Sequence, residues 1–250
     1  MSDNQRNKLN ILGIPVDKVS MESALDIFRG FMESEGCSLI VTPNSEIVLN
    51  ATKDPELASL IKSADLVIPD GIGLVYASKM LGSPLGERVT GIDFSYEALR
   101  LLAGKGGSAY LFGSRPGIAE KAAEKLREQI PGLVIAGCRD GYFKSEEEED
   151  IAAAIKASGA DFLLVALGSP KQEKFIADHR QELGVRAAIG VGGSLDVWSG
   201  TLERAPKFYI DHGLEWLFRL KQEPKRIKRT AQLPLFLIKV LFTGRKNGDH

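Results

Sequence analysis

Scarcity sets the first limits on this 250-residue chain: it has two cysteines, three histidines and no apolar run long enough to cross a bilayer. Cys37 and Cys138 lie far apart, each in an apolar strand-like run, and no C-x-x-C pair is present. The histidines show no zinc-ligand spacing. We therefore expect buried free thiols, a reducing cytoplasm and no metal. The polar start "MSDNQRNKLN" lacks an apolar signal core, so export is not expected. The longest apolar run, "LPLFLIKVLF", has about ten residues, against the roughly 20 that a spanning helix needs. Three nucleotide signatures are also missing. There is no G-x-G-x-x-G dinucleotide fingerprint, no GxxxxGK[ST] P-loop, and no D-x-D pair of the kind that holds a metal in many sugar-nucleotide enzymes.

What is present is a globular composition, 44% hydrophobic and 26% charged, with length enough for one large or two small domains. No repeat or low-complexity linker interrupts it. The net charge of −1 hides an asymmetry. From Arg204 to His250 there are eleven Lys/Arg against four Asp/Glu, a balance of +7, which leaves −8 on the rest. A basic tail on an acidic body points to an anionic partner for the tail.

Short apolar runs alternate with amphipathic segments along the body. "LNILGIPV", "CSLIVT", "DLVIP", "SAYLFG", "LVIAGC", "DFLLVALG" and "RAAIGVGG" read as strands. Helical spacing joins Met21, Ala24, Leu25, Phe28, Phe31 and Met32, and again Ile72, Val75, Tyr76 and Met80. Asp54 and Pro55 read as N-cap and first helical residue. Further helices are expected over "GIDFSYEALRLLAGKG" and from near Arg115, Ser145 and Pro170, with Ser145 capping the acidic run "SEEEED". Strands this apolar between helices predict an α/β fold with a mainly parallel, Rossmann-like sheet covered on both faces. Residues 1–202 form the expected catalytic body. Residues 203–250 form a helical, basic and apolar appendage, which either lies in a membrane interface or docks on the body with its lysines exposed. His179 reads as a packed helix residue, and His212, in the tail helix, is unremarkable. Trp198 and Trp216 suit either packing or a membrane edge.

Ligands of open parallel sheets bind at the carboxyl ends of the strands. That edge collects Thr42, Asn44, Asp70, Ser114, Gln172 and Asp196. Gly113-Ser114 and Gly168-Ser169 each link a strand to a helix with a proline near its start. Free N–H groups at such helix starts favour phosphate, and a nucleotide-type ligand is the reading they support. N-capping, the more frequent role of serine at a helix start, is the alternative for both. With no metal-binding pair in the sequence, a diphosphate would be neutralised by helix dipoles and by arginines such as Arg219, Arg226 and Arg229. Asp70, at the tip of "ADLVIPDGIGLV", is either a helix cap or a general base.

At "TPNSEIV", "ADLVIPDGIGLV", "GERVTGIDF", "LFGSRPG", "GSPKQEKF", "GVGGSLDVWSG" and "APKFYIDHGLEWLFRL" the chain resembles the WecG/TagA/CpsF family of bacterial glycosyltransferases, its TagA branch above all. The resemblance runs from about Leu9 to Phe242. It implies an inverting enzyme, independent of metal or other cofactor, that moves N-acetylmannosamine from UDP-ManNAc to undecaprenyl-diphosphate-GlcNAc. The β-1,4-linked product begins the wall teichoic acid linkage unit. The family's motif aspartate falls on Asp70 with the role of base, and its Thr, Asn and Gln fall on Thr42, Asn44 and Gln172, which would orient the sugars. Its C-terminal arginines fall on Arg219, Arg226 and Arg229, which would close over the diphosphate. We further expect Tyr142 to stack on uracil and Asp196 to hold the ribose. The anionic inner leaflet of the membrane becomes the tail's partner, with the protein cytoplasmic and peripherally attached. Other UDP-sugar donors, such as UDP-ManNAcA, occur among relatives. A NAD-dependent Rossmann enzyme and a membrane- or RNA-binding adaptor are the rivals; the favoured reading has no nucleic-acid partner. Oligomeric state stays open, a homo-oligomer included.

Overall fold

The computed structural model describes residues 7–224, 227 and 231–246. Six parallel strands form one sheet in the order β4-β3-β8-β7-β5-β6. They are β3 (Ser38–Val41), β4 (Leu66–Val67), β5 (Ser108–Gly113), β6 (Val134–Arg139), β7 (Phe162–Ala166) and β8 (Ala187–Gly190). Period-two alternation divides their side chains between two apolar layers. Leu39, Val41, Leu163 and Val165 face one layer. Ile40, Phe162, Leu164 and Ile189 face the other. Such strands can be buried only with helices on both sides, as the α/β reading predicts.

The run read as one strand, "LNILGIPV", is an antiparallel hairpin of β1 (Lys8–Ile11) and β2 (Ile14–Asp17). Leu12 and Gly13 both have positive φ (53° and 89°), the primed-turn geometry that matches strand twist. A buried Asp17 carboxylate ties the hairpin to the sheet by accepting the Val67 N–H at 2.8 Å.

The helices follow their local signals closely. α1 (Met21–Glu33) opens with a capping box between Ser20 and Ser23. α2 (Ser45–Ala51) is capped by Asn44, and α3 (Pro55–Lys62) by Asp54 with proline in its first turn. α4 (Ile72–Met80) departs from expectation. Tyr76 and Met80 are exposed, and its buried face is Gly73, Leu74, Ala77 and Ser78. The cause lies far along the chain, in the last helix, which covers that face. α5 (Gly91–Gly104) is capped by Thr90. α6 spans Ile118–Gln129 and α7 spans Glu148–Ala157. Ser145 does not cap: a 3₁₀ turn covers Ser145–Glu147, and the Glu147 carboxylate accepts the Lys144 N–H at 2.8 Å. α8 (Lys171–His179) and the short α9 (Ser194–Trp198) complete the body.

The C-terminal region adds α10 (Lys207–Asp211), α11 (Glu215–Gln222) and α12 (Gln232–Lys246). α12 docks. Phe236 and Val240 are fully buried in the layer that contains Ile47, Val48, Leu74 and Ala77, and Lys239 Nζ donates to Thr52 Oγ1 at 2.7 Å. Its opposite face leaves Leu235, Ile238, Leu241 and Phe242 exposed. Among the described residues no helix is long and apolar enough to cross a membrane. Both cysteine thiols are free and pushed up to about 11 by burial, Cys37 inside the core and Cys138 half-buried. Trp198 is a core residue, whereas Trp216 borders the cleft described next.

Candidate active site

The carboxyl ends of β4, β3 and β8 open into one cleft, roofed by α11. Asp70 stands at its floor. The Asp70 N–H donates to Pro43 O at 3.0 Å, which fixes the loop after β4 against the loop after β3. Thr42, Asn44 and Asp70 thereby line the same wall. Thr42 Oγ1 donates to Gly190 O at 3.2 Å, tying its loop to the end of β8, and Asn44 Oδ1 accepts the Ile47 N–H at 3.0 Å, bracing its own loop.

Asp70 is not a cap: Gly71 occupies the N-cap of α4, with no side-chain bond to the helix. The carboxylate instead accepts the N–H of Gly91, the first residue of α5. Dense protein surrounds it on all sides but the one facing the cleft, and this burial pushes its pKa up to about 6. The negative charge of Glu215 adds to the rise, while Arg88, the Gly91 N–H and Arg219 oppose it.

Arg88, Glu215 and Thr90 are site residues that motif reading left without a role. Arg88 Nη2 meets Glu215 Oε2 at 2.6 Å, and Nη1 donates to Ile210 O at 3.2 Å. Arg204 pairs with Asp93 at the start of α5, and the Thr90 hydroxyl donates to the same carboxylate at 2.5 Å. Gln222 accepts the Glu203 N–H and donates to Glu203 O, closing the roof on itself. The available signal was an arginine two residues before a helix cap, and an acid inside the apolar run "HGLEWLF". Arg219 lines the cleft 3.7 Å from Glu223, with its guanidinium over the Cα of Gly193. Arg226 and Arg229 lie outside the described residues.

Gln172 does not line this cleft. It is buried behind it, accepting the Gly192 N–H at 3.0 Å and donating to Glu173 Oε1 at 2.8 Å. A second groove, of about 490 Å³, lies at the carboxyl ends of β5, β6 and β7 and gathers Ser114, Tyr142 and Asp196. Tyr142 is 70% exposed at the groove's edge. Ser114 Oγ donates to Asp196 at 2.9 Å, and Arg115 lies 3.4 Å from the same carboxylate. Neither serine of the two Gly-Ser loops is a cap, since Gly117 and Pro170 hold those positions in α6 and α8. Gly113 is required by packing, because a Cβ there would lie 2.5 Å from the Ala166 backbone. Gly168 and Ser169 border neither cavity. Among the described residues no three His, Cys, Asp or Glu side chains gather as a metal site would need.

Comparison with known proteins is consistent along nearly the whole chain. The model of the glycosyl transferase WecG/TagA/CpsF family matches residues 9–249. Curated relatives carry the name N-acetylglucosaminyldiphosphoundecaprenol N-acetyl-beta-D-mannosaminyltransferase. One, from Bacillus spizizenii, is 37% identical over 84% of this chain and 81% of its own length. Another, from Bacillus subtilis, is 33% identical over 92% of this chain and 90% of its own. A third, from Staphylococcus aureus, is 32% identical over 96% of this chain and 94% of its own. With a parallel sheet, an acid at the floor of its strand-end cleft and this breadth of match, the chain belongs to the WecG/TagA/CpsF family of glycosyltransferases.

Proposed function

We propose that this protein transfers N-acetylmannosamine from UDP-ManNAc to undecaprenyl-diphosphate-GlcNAc with inversion, forming the β-1,4 disaccharide that begins a wall teichoic acid linkage unit. The observation that carries the reading is Asp70: a carboxylate held by a helix start at the floor of the cleft, with a pKa of about 6. Such a group is ionised at neutral pH yet more basic than an ordinary carboxylate, the combination a general base requires. The names of the relatives supply the donor sugar and the acceptor.

In this reading, O4 of the acceptor GlcNAc attacks the anomeric carbon of ManNAc from the face opposite UDP. Asp70 takes the O4 proton as the new C–O bond forms. The anomeric C–O bond to the β-phosphate breaks, and UDP leaves with that electron pair. Thr42 and Asn44 orient the sugars at the wall they share with Asp70, and Gln172 acts from behind. Tyr142 stacks on uracil and Asp196 holds the ribose, in the groove that also contains Ser114.

Charge constrains the diphosphate. The arginines described in the cleft already face carboxylates: Arg88 meets Glu215, Arg204 meets Asp93 and Arg219 meets Glu223. A diphosphate must exchange partners with them or draw on further cations, the role assigned to Arg226 and Arg229. The cleft encloses about 240 Å³ under its roof, below the ~300–1,000 Å³ of typical small-ligand sites. The roof therefore shifts when a sugar-diphosphate enters. The exposed stripe of α12 (Leu235, Ile238, Leu241 and Phe242) fits a peripheral contact with the inner leaflet, where a lipid-linked acceptor resides.

The test is incubation of the full chain with a GlcNAc-diphosphate-lipid analogue and a panel of UDP-sugars, following UDP release and the product's anomeric configuration. UDP-ManNAc is expected to turn over fastest, and Asp70→Asn to lose roughly 10²–10⁴-fold in rate. Near-normal turnover by that variant, or preference for another UDP-sugar, would overturn the mechanism or the donor assignment respectively.

A further inference from the structure

Glu173 is an odd residue to bury. It is 2% exposed, on the first turn of α8. A glutamate three positions after an N-cap commonly turns back to accept the cap's N–H. Here the cap is Pro170, which has no N–H, so that use is closed. The carboxyl Oε1 instead accepts from Gln172 Nε2 at 2.8 Å, and Oε2 is sealed from solvent. An amide held by its NH₂ end must present its oxygen at the other. Gln172 Oε1 accordingly points away from Glu173 and accepts the Gly192 N–H at 3.0 Å.

The next links in the chain are steric. A Cβ at Gly190 would collide with the Gln172 amide, so the side chain crosses β8 where only a glycine lets it pass. A Cβ at Gly193 would collide with the Arg219 guanidinium, which fills that space. Gly193 and Ser194 line the cleft beside Thr42 and Asp70.

We propose that Glu173 is a positioning residue: through Gln172 it sets the Gly192–Gly193 backbone, and so the seat of Arg219 on the leaving-group side of the cleft. The inference deepens the transferase reading and rests on it for the role of Arg219; the placement of the Gly192 backbone stands apart from that reading. Burial holds the Glu173 carboxyl above the ordinary carboxylate range, against the pull of the Gln172 amide first, then of its own backbone N–H and the Ser169 hydroxyl. A glutamine, isosteric with the neutral acid, is therefore a fair substitute, and an alanine is not.

Amide hydrogen exchange in the isotope-labelled full chain tests the placement, and calorimetry with UDP tests its consequence. In Glu173→Ala, the Gly192 amide is expected to exchange at least tenfold faster. Val191, whose N–H donates to Val165 O at 2.8 Å within the sheet, should hold its wild-type rate. UDP affinity should fall about tenfold. Glu173→Gln should stay within about threefold of wild type in both measurements. If Glu173→Ala fails to fold, Glu173→Asp replaces it, one methylene too short to reach Gln172, and Gly192 exchange should rise again. Unchanged Gly192 exchange in the shortened variant, or equal damage from Glu173→Gln, overturns the proposal. If the wild type binds no UDP, the transferase reading fails by itself, and the exchange comparison still decides whether Glu173 places the loop.

Discussion

Asp70 is a costly residue to keep. Its pKa of about 6 against an ordinary 3.8 means that the folded protein retains a proton the unfolded chain releases across that interval. Stability linked to this group is fully present below pH 3.8 and is lost as pH rises through 6. At about 1.4 kcal/mol per unit, roughly 3 kcal/mol is forgone at neutral pH, an upper figure because the cleft is open to water. Asp70→Asn should therefore raise Tm at pH 8 by several degrees while destroying turnover, and the gain should vanish below pH 4; thermal melts across pH will decide. Gly113→Ala is the opposite case, a change outside the chemistry that should destabilise by more than about 2 kcal/mol, because the intruding methyl meets sheet backbone that cannot yield. Denaturant unfolding measures it. Asp70 was legible in the sequence because a buried run that stops at Pro-Asp-Gly puts a charge where a strand must end. The partners that tune it were not. Arg88 and Glu215 are 127 positions apart, and no local pattern encodes a contact of that reach.

Among the elements, the parallel strands could be read because apolar runs between capped helices leave few other arrangements. The failures came where one element answers to another. α4 has its buried face set by α12, and the first strand hides a turn because Leu12, an unusual residue for positive φ, occupies it beside Gly13. The roof helix α11 acts on the chemistry through charge. Removing the Glu215 charge relieves one cause of Asp70's raised pKa and leaves Arg88 to favour the carboxylate. Glu215→Gln should therefore move the acidic limb of the kcat/KM profile below pH 6 and weaken the base at neutral pH. A limb that stays in place would separate Glu215 from the reaction.

For the molecule as a whole, the appendage is part of the fold as well as of the site. Phe236 and Val240 bury fully against α2 and α4, and each such side chain is worth about 1.5–3 kcal/mol. Deleting residues 232–250 should then cost about 3–6 kcal/mol, a large share of the ~5–15 kcal/mol that holds a domain together. Denaturant unfolding of the truncated protein will show it. Deleting 203–250 should also end transfer, by removing Arg219 and the roof. Its basic charge was plain in the sequence; that one face of α12 packs inward while the other stays apolar and exposed could not be read from a run with no polar side.

The stretch from Val191 to Asp196 borders both hollows: Gly193 and Ser194 face the cleft, and Asp196 faces the groove that holds Tyr142. A single partition so short cannot yield on one side and stay still on the other. Whatever fills the first chamber therefore alters the shape of the second, and initial-rate plots with both substrates varied should show each one changing the apparent grip on its companion.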